Sequence, residues 1–463
     1  MVKKKFYITS SIAYTNALPH LGYALELVQA DVLARYRRLL GEDVFFLTGT
    51  DEHGQKIVKA AKEAGKTPQK FTDDISKKFK DLTKILNLSN DDFIRTTDQK
   101  RHRPNVKKVW LKLKDNGDIY KKKYQGLYCV GCEAFVKEKD LIGGLCPNHR
   151  QKPEIVEEEN YFFKLSKYAD QIKEKIENGE IKIIPESKKN EILSFIGQGV
   201  DDVSCSRSKE NLKWGIPVPG DDSQIIYVWF EALINYFVPK KYWPADVHCV
   251  GKDIFRFHAL WWPSMLLALN EPLPKTILVH GFITSGGQKM SKSLGNVVDP
   301  FGLVKKYGTD TVRYFLLREI SPTEDGDFTE EKFKGRYNDD LAKGLGNLVA
   351  RVVTLAKNSP PKADQSLAEN FQISNIKNKL DKATEEFRFN EALSTIWGLI
   401  SFCDGYIEKE KIWEMKNEKA IGDLLFTLEN IAQLLQPFLP ETSEKIFKQL
   451  KSRKSKPLFP RIK

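Results

Sequence analysis

Two segments far apart in the chain carry residues that could bind a phosphate and stabilise its charge. His20 lies in "PHLGY", directly before the start of an amphipathic pattern, and Gly22 follows two residues later. A helix N-terminus attracts anions, so a histidine there can contact a phosphate group. Lys289 and Lys292 lie in "GGQKMSKSLGN", whose glycines would let a mobile loop place positive charge on a triphosphate. From residue types alone, a capping histidine and a solvated basic loop explain the two segments more simply.

Four potential metal ligands lie close together in two short pairs. "CVGC" contains Cys129 and Cys132, and "CPNH", thirteen residues further on, contains Cys146 and His149. Two ligands on each of two tight turns can complete the tetrahedron of a structural Zn²⁺ site. We therefore predict one structural Zn²⁺, which would hold this part of the chain together without taking part in catalysis.

Charged residues also follow a predicted strand in "TGTDEHG". Core packing alone does not account well for charged residues such as Asp51 and His53 at the end of a strand. Contact with a ligand and a structural role are therefore equally good interpretations of these two residues. The aromatic residues of "YVWFEALINY" and "GKDIFRFHALWW" are by default part of the core of a sheet.

Alternating strands and helices must position these residues. "KFYITSS" and "VFFLTG" have the composition of buried strands, and apolar residues recur at helical spacing from 21 to 40, before Gly41. A second helix follows and ends at Gly65. Buried strands that alternate with helices predict a parallel α/β sheet, and such sheets bind ligands beyond the carboxyl ends of their strands. Both "PHLGY" and "TGTDEHG" follow such ends.

The pattern along the chain divides it into five parts. The predicted parts are the first half of a Rossmann-type catalytic domain (1–114), an insertion with the metal ligands (115–224), the second half of the domain (225–284), the region of the two lysines (285–335) and an α-helical bundle (336–463). The bundle prediction depends on leucines at helical spacing, for example Leu341, Leu345 and Leu348. The predicted fold class is α/β: a parallel sheet split by a zinc-knuckle insertion and followed by an all-α region.

The composition limits the class of protein. With 463 residues the chain is too long for one ordinary core, and it has no apolar run of the roughly 18 to 20 residues that a membrane span needs. Its amino terminus lacks the features of a signal peptide, so we expect a cytoplasmic protein with no membrane partner. Lys and Arg outnumber Asp and Glu by 74 to 62, which suits a nucleic-acid partner and a lysine-rich surface equally well.

Taken together, these segments resemble the methionyl-tRNA synthetase family of class I aminoacyl-tRNA synthetases. "HLGY" at 20–23 is similar to the first signature of the class, HIGH, and "KMSKS" at 289–293 matches the second. The signatures alone leave several amino acids open, and "FFLTGTDEHG", the zinc knuckle, "WGIPVPGD", "YVWFEAL" and the ending "PLFPRIK" narrow the choice. The resemblance extends over essentially the whole chain.

The resemblance implies a two-step ligation. The carboxylate of methionine would attack the α-phosphate of ATP, and the methionyl group of the resulting adenylate would pass to the terminal adenosine of methionine tRNA, initiator and elongator alike. Mg²⁺ would accompany ATP. The catalytic residues implied by the family pattern are His20, Tyr23, Lys289 and Lys292. The implied ATP contacts are His20, Gly22, Gly251, Asp253 and Lys292.

The resemblance also implies a methionine site and an anticodon site. Asp51 would pair with the ammonium group of methionine. The methionine side chain would lie in a pocket formed by Ile12, Tyr14, Trp229, Ala232, Leu233, Tyr236, Ile254 and His258. Residues 285–335 would contact the tRNA stem, and the bundle would read the CAU anticodon through Asn347, Arg351 and Trp413. With no separate editing domain and no appended module, the expected protein is a monomer.

Three positions depart from the family pattern: Tyr23 in place of the second histidine of HIGH, Glu231 in place of Asp, and Ile412 in place of Pro. A phenol can donate a hydrogen bond but carries no positive charge near pH 7, so we expect Tyr23 to be tolerated. Three rival functions remain: a cysteine or branched-aliphatic synthetase, a silent relative that binds tRNA or acts as a scaffold, and a nucleotidyltransferase that uses no tRNA. The aromatic pocket, the two signatures and the bundle argue against them.

Overall fold

The computed structural model describes seven segments of the chain: residues 3–131, 134–136, 138–147, 150–290, 294–358, 373–415 and 417–462. They fall into two compact units. Unit 1 comprises Met1–Pro19, Glu42–Asp81 and Asn90–Val279, and unit 2 comprises His20–Gly41, Leu82–Ser89 and His280–Lys463.

The strands of the described segments, in chain order, are β1 Lys5–Tyr14, β2 Asp43–Asp51, β3 Asp92–Arg95, β4 Ile119–Cys129, β5 Ala134–Val136, β6 Glu154–Phe163, β7 Lys182–Ile184, β8 Val203–Ser204, β9 Ser206–Ser208, β10 Pro217–Val218, β11 Asp221–Ile226, β12 Val247–Gly251, β13 Thr276–His280, β14 Ile283–Ser285, β15 Gln288–Lys289 and β16 Gly326–Phe328.

The α-helices are α1 Leu21–Leu39, α2 Gln55–Glu63, α3 Pro68–Ile85, α4 His102–Asp115, α5 Ser166–Glu177, α6 Glu186–Gly197, α7 Val228–Ala232, α8 Trp262–Leu269, α9 Pro300–Tyr307, α10 Thr309–Arg318, α11 Glu330–Gly335, α12 Asn347–Asn358, α13 Ile373–Glu385, α14 Phe389–Lys409, α15 Ile412–Met415, α16 Glu418–Leu435 and α17 Pro440–Ser452. Short 3₁₀ turns lie at Glu138–Asp140 and Leu233–Phe237, and π-helical segments lie at Phe257–Trp261 and Arg336–Gly346.

The central sheet of unit 1 has six strands in the order β3-β2-β1-β12-β13-β7. β2 pairs in parallel with both β1 and β3, β1 pairs with β12, and β13 pairs with β7. Tyr7, Phe46 and Leu278 of this sheet are fully buried, as expected of strands that are covered on both faces. The prediction of a parallel α/β sheet is confirmed. The strand order reverses between β1 and β12, which is where such sheets bind ligands.

One edge strand comes from a range that the sequence pattern assigns to the insertion. β7 lies within residues 115–224, yet it pairs in register with β13, with Ile183 opposite Ile277. A three-residue strand is too short to form a recognisable apolar run, so the sequence does not distinguish it from a connection. The other strands of this range, together with the end of β11, form two antiparallel sheets, β5-β4-β6-β8 and β10-β11-β9.

Unit 2 is mainly helical. Its first helix, α1, begins after His20, whose side chain caps it, and ends before Gly41, which has φ +82°. A glycine in the left-handed region is a common helix end, and the predicted bounds of 21 to 40 are confirmed to within one residue. From α11 to α17 the described chain is helical, and Leu341, Leu345 and Leu348 are fully buried, which confirms the helical carboxyl-terminal region. Among the described residues, no helix combines the length and apolarity that crossing a membrane requires.

Candidate active site

A small cavity in unit 1 is formed at the ends of β1 and β2 and by the segments after β11 and β12. It is lined by Ser11, Ile12, Asp51, Trp229, Ala232, Leu233, Asn235, Tyr236, Ile254 and His258. Eight of the nine residues that the sequence suggests for methionine are therefore brought together. The ninth, Tyr14, is not part of the lining and packs against the cluster of Ile57, Ala61 and Phe71.

Sequence analysis missed two polar residues of the lining, Ser11 and Asn235. Asn235 is fully buried, and its Nδ2 donates a hydrogen bond of 2.6 Å to the carbonyl of Ala232. In the sequence, Asn235 stands out as an asparagine inside the mostly apolar segment "EALINYF". A polar residue at such a position is notable because a buried polar group needs a hydrogen-bond partner.

Asp51 is the acidic residue of the cavity. It ends β2, is 3% exposed, and its Oδ1 accepts a hydrogen bond of 3.3 Å from the hydroxyl of Thr96. Among the ten described residues that line the cavity, Asp51 is the only one with a carboxyl group. A buried carboxylate beside an apolar cavity can accept charge-assisted hydrogen bonds from an ammonium group.

Tyr236 and His258 form a neutral polar wall. His258 Nδ1 lies 3.1 Å from the carbonyl oxygen of Ile254, and its Nε2 lies 2.7 Å from the hydroxyl of Tyr236. A carbonyl can only accept, so Nδ1 carries the proton and Nε2 accepts from the tyrosine. Burial lowers the pKa of His258 to about 4, although the bond to Ile254 opposes this shift. The wall is therefore uncharged at pH 7 and suits an uncharged side chain.

Aromatic packing holds Trp229 in place. Its ring stacks on Phe257 with a centroid distance of 4.2 Å and an interplanar angle of 6°, and Phe257 in turn packs edge-on against Trp261. Such contacts restrict the indole to one orientation. A fixed aromatic surface beside the cavity suits a polarizable side chain such as a thioether.

His53 does not line the cavity, in spite of its position after β2. Its Nδ1 lies 2.5 Å from Oε1 of Glu231, and its ring packs against Trp214 at a centroid distance of 5.3 Å. The sequence left open whether His53 contacts a ligand or has a structural role. Its observed contacts are those of a structural residue.

In unit 2, His20 caps the N-terminus of α1. Its Nδ1 accepts a hydrogen bond of 3.1 Å from the backbone N–H of Gly22, which leaves the ring proton on Nε2. A Cβ at position 22 would come within 2.9 Å of Cε1 of His20. Glycine is therefore needed for the imidazole to lie over the first turn of the helix.

The segment that follows the second signature lies at the same helix end. The N–H of Leu21 donates a hydrogen bond of 3.1 Å to the carbonyl of Val298. Met290 Cε is 3.9 Å from the position that a Cβ of Gly22 would occupy. Unit 2 thus brings His20 and Gly22 of the first signature close to Met290 of the second. These residues are more than 260 positions apart in the sequence, so their proximity could not be inferred from the sequence alone.

Lys289 ends a short hairpin with a glycine turn. β15 pairs antiparallel with β14 across Gly286 and Gly287, which have φ of +60° and +75°. Both values lie in the left-handed region, which glycine adopts without strain. Nζ of Lys289 lies 5.3 Å from the ring centre of Phe282. Lys292 lies outside the described residues.

The remaining candidates for ATP are at element ends. Gly251 ends β12, and its carbonyl accepts a hydrogen bond of 3.2 Å from the N–H of Ile254, while Asp253 is exposed in the turn between them. Tyr23 lies in the first turn of α1, where its N–H donates to the carbonyl of His20 at 3.1 Å. Strand ends and helix N-termini are the places where α/β proteins bind nucleotides.

Two family descriptions match the chain. "tRNA synthetases class I (M)" matches residues 6–153 and 149–353, and "Anticodon-binding domain of tRNA ligase" matches residues 371–460. The methionine–tRNA ligase of Caldanaerobacter subterraneus is 44% identical over 97% of this chain and 74% of its own length. That of Thermotoga maritima is 43% identical over 96% of this chain and 75% of its own length.

The chain belongs to the methionyl-tRNA synthetase family. It is a class I aminoacyl-tRNA ligase that uses ATP to join methionine to tRNA, as the sequence resemblance predicts. The fold agrees: the methionyl-tRNA synthetase of Mycobacterium tuberculosis in complex with methionyl-adenylate matches with a TM-score of 0.91 at 36% identity, over 96% of this chain and 93% of that chain.

The three anticodon candidates of this synthetase lie in the helical part of unit 2. Asn347 begins α12 and is exposed, and Arg351 lies one turn further along. Arg351 forms ion pairs with Asp404 (3.5 Å) and Glu408 (2.7 Å), and its guanidinium lies 5.9 Å from the ring centre of Trp413. Trp413 is 45% exposed, so its ring is available to a stacking partner.

Two of the four predicted zinc ligands lie within the described residues. Cys129 ends β4 and is 3% exposed. Cys146 is 1% exposed, and its carbonyl accepts a hydrogen bond of 2.7 Å from the N–H of Arg150. Cys132 and His149 lie outside the described residues. Within the described part of the chain, no group of three or more potential metal ligands is present.

Proposed function

We propose that the cavity of unit 1 binds the methionine substrate, with Asp51 as the partner of the ammonium group. The single observation that carries this proposal is the lining itself, with one buried carboxylate, one neutral Tyr236–His258 pair and otherwise apolar walls. The side-chain contacts would be Ile12, Trp229, Ala232, Leu233, Tyr236, Ile254 and His258. Tyr14 remains a candidate from the family pattern only. Removing or adding one methylene in such a pocket changes binding by about 1 to 3 kcal/mol, so shape must do most of the selecting.

ATP would be held by His20, Gly22, Gly251, Asp253 and Lys292. Nε2–H of His20 is a donor suited to a phosphate oxygen, because the cap bond to Gly22 occupies Nδ1. The methionine carboxylate attacks the α-phosphorus, the bond from this phosphorus to the bridging oxygen breaks, and pyrophosphate leaves with that electron pair. Mg²⁺ that accompanies ATP shares the charge of pyrophosphate.

Lys289 and Lys292 would stabilise the leaving pyrophosphate, and Tyr23 would contribute at most a neutral hydrogen bond. The glycine turn at Gly286 and Gly287 supports this role for Lys289, because it allows the hairpin to move towards a ligand. No covalent enzyme intermediate is required, so the enzyme acts by positioning and by stabilising charge.

Methionine-dependent exchange of labelled pyrophosphate into ATP tests the activation step. We expect exchange with methionine and none above background with the other nineteen amino acids. Folded protein that shows no methionine-dependent exchange would exclude the proposed site. Exchange with cysteine or a branched aliphatic amino acid instead would show that the cavity selects a different side chain.

Structural Zn²⁺ would be bound by Cys129, Cys132, Cys146 and His149. The two described ligands fit, because both are buried soft donors and Cys129 lies at a strand end. We expect elemental analysis of the purified protein to find one zinc per chain. A zinc content far below one, in protein that was never exposed to a chelator, would contradict the proposal.

Recognition of the CAU anticodon would use Asn347, Arg351 and Trp413. Trp413 offers an exposed ring for stacking on an unpaired base, and Arg351 is held beside it by Asp404 and Glu408. We further propose that the enzyme works in the cytoplasm as a monomer. The five described cysteines form no disulfide, which fits a reducing compartment, and light scattering after size exclusion tests the oligomeric state.

A further inference from the structure

Glu231 is a buried carboxylate to which the proposed reaction assigns no role. It lies on α7 between Trp229 and Ala232, two residues of the methionine cavity, and it is 0% exposed. Carboxylates are almost never fully buried unless they are paired. Its partners therefore indicate what it does.

The carboxylate of Glu231 joins three elements of unit 1. Oε1 accepts from Nδ1 of His53 at 2.5 Å, and Oε2 accepts from Nε2 of His102 at 3.0 Å. His53 lies two residues after Asp51 at the end of β2, and His102 is the first residue of α4. One side chain on α7 thus contacts both the end of β2 and the start of α4.

The charge of this cluster keeps it in place. Burial by itself would raise the pKa of Glu231, but the attraction of His53 and the hydrogen bonds from His102 and His53 outweigh burial and lower it. The carboxylate is therefore ionised at neutral pH. Nε2 of His102 donates to this carboxylate, and Nδ1 of His102 is buried without a hydrogen-bond partner among the described residues.

We propose that Glu231 is a positioning residue for methionine. It holds α7, which carries Trp229, in a fixed place relative to the end of β2, which carries Asp51. This inference depends on the proposed function, in which Asp51 contacts the ammonium group and Trp229 the side chain of the same molecule. A displacement of about 1 Å between such groups can cost about a hundredfold in rate.

The length of the side chain at position 231 matters in this arrangement. An aspartate is shorter by one carbon–carbon bond, about 1.5 Å, and could not reach both imidazoles with the backbone where it is. Glutamate at a position where the family pattern has aspartate therefore fits the two contacts observed here.

Glu231→Gln tests the proposal in the pyrophosphate exchange assay. The amide keeps the size, but its NH₂ group would face an imidazole N–H in place of a carboxylate oxygen. We expect the KM for methionine to rise about tenfold or more, while the KM for ATP changes by less than about twofold. Glu231→Asp keeps the charge and one contact, and should lie between the wild type and Glu231→Gln.

A matched control is Glu158→Gln. Glu158 is a second buried carboxylate of unit 1, 9% exposed, which accepts hydrogen bonds from Asn160 and Asn211 and is not part of the cavity lining. Its substitution also replaces a buried, hydrogen-bonded carboxyl group by an amide, so it reports general destabilisation. We expect its KM for methionine to equal that of the wild type.

The outcomes separate the two levels of the proposal. A wild-type enzyme without methionine-dependent exchange overturns the proposed function and the positioning role together. If the wild type shows exchange but Glu231→Gln has an unchanged KM for methionine, the positioning role alone is overturned. The same holds if Glu158→Gln raises the KM for methionine as much as Glu231→Gln does. If Glu231→Gln does not fold, Glu231→Asp and His102→Gln are measured, and an unchanged methionine KM in both overturns the positioning role.

Discussion

At the scale of single residues, Asp51 and the Tyr236–His258 pair determine the polar character of the cavity. Asp51 places a carboxyl group at one end, and the pair supplies a polar but neutral surface. The neutrality of His258 follows from its burial, which lowers its pKa more than the bond to the carbonyl of Ile254 raises it. A zwitterionic amino acid with an uncharged side chain matches this distribution.

Asp51→Asn should weaken the binding of methionine. It removes the charge from a hydrogen bond to the ammonium group, and such bonds contribute about 1.5 to 3 kcal/mol. We expect the KM for methionine in pyrophosphate exchange to rise by about tenfold to a hundredfold. Asp98→Asn is the control, because Asp98 is a partly exposed carboxylate of the same unit that binds Lys100 and Arg101. An equal effect of both substitutions would contradict the role of Asp51.

The buried His258 should make stability depend on pH. Its pKa falls from 6.5 to about 4 on folding. Below pH 6.5 the unfolded chain takes up a proton at this position and the folded chain does not, so stability is lost as the pH falls towards 4. The contribution is at most about 1.4 kcal/mol per pH unit. The free energy of unfolding of His258→Asn, measured with denaturant at several pH values, should therefore fall less steeply than that of the wild type. Identical slopes would contradict the neutral state of His258.

At the scale of elements, one arginine joins several parts of unit 2. Arg313 on α10 is fully buried and lies 2.7 Å from Asp31 of α1, the helix that His20 caps. The guanidinium also donates to the carbonyls of Pro437 and Phe438, which connect α16 and α17. Burial alone would raise the pKa of Asp31, but the charge of Arg313 helps to lower it, so the pair is ionic.

Arg313→Met should strongly destabilise the protein. It removes one ion-pair partner of the buried Asp31, which keeps Arg35 at 2.8 Å. It also removes the hydrogen bonds to the carbonyls of Pro437 and Phe438. Breaking a buried pair costs about 3 to 5 kcal/mol when no other partner remains, so we expect a loss towards the lower end of this range. Thermal unfolding measures the effect. Lys343→Met is the control, because Lys343 and Asp339 form an exposed pair one helical turn apart, which contributes about 0.5 kcal/mol or less. Similar melting temperatures for the two variants would contradict the structural role of Arg313.

At the scale of the whole molecule, the proposed contacts to methionine and to the anticodon lie in different units. The cavity belongs to unit 1, whereas Asn347, Arg351 and Trp413 belong to unit 2. In the proposed function, activation of methionine needs no anticodon contact, whereas transfer to tRNA uses one. The two half-reactions should therefore respond differently to substitutions in the helical region.

Trp413→Ala should impair charging of tRNA and spare activation. Stacking of a base on an aromatic ring contributes about 1 to 3 kcal/mol, so kcat/KM for tRNA should fall by about tenfold or more. Pyrophosphate exchange should stay within about twofold of the wild type. Phe447→Ala, which removes another partly exposed ring from the helical region, should leave charging unchanged. Equal losses in exchange and charging for Trp413→Ala would contradict this division.

Features that depend on residues close together in sequence could be predicted from the sequence. The bounds of α1 follow from apolar residues at helical spacing and from Gly41, and β1 and β2 follow from continuous apolar runs. The candidate residues of the cavity could also be named, but only through the resemblance to a family. Residue types alone left the lysine loop and the capping histidine ambiguous.

Features that depend on contacts between distant residues needed the tertiary structure. The partners of Glu231 lie 178 and 129 residues away, and Asp31 and Arg313 meet only because α1 and α10 pack together. β7 is part of the sheet because it pairs with β13, and Tyr14 packs against two apolar clusters without lining the cavity. The sequence by itself determined the local elements and the family of this protein. Burial and hydrogen bonding between remote segments decided how the cavity is held in shape, because a side chain finds such partners only when the whole chain has folded.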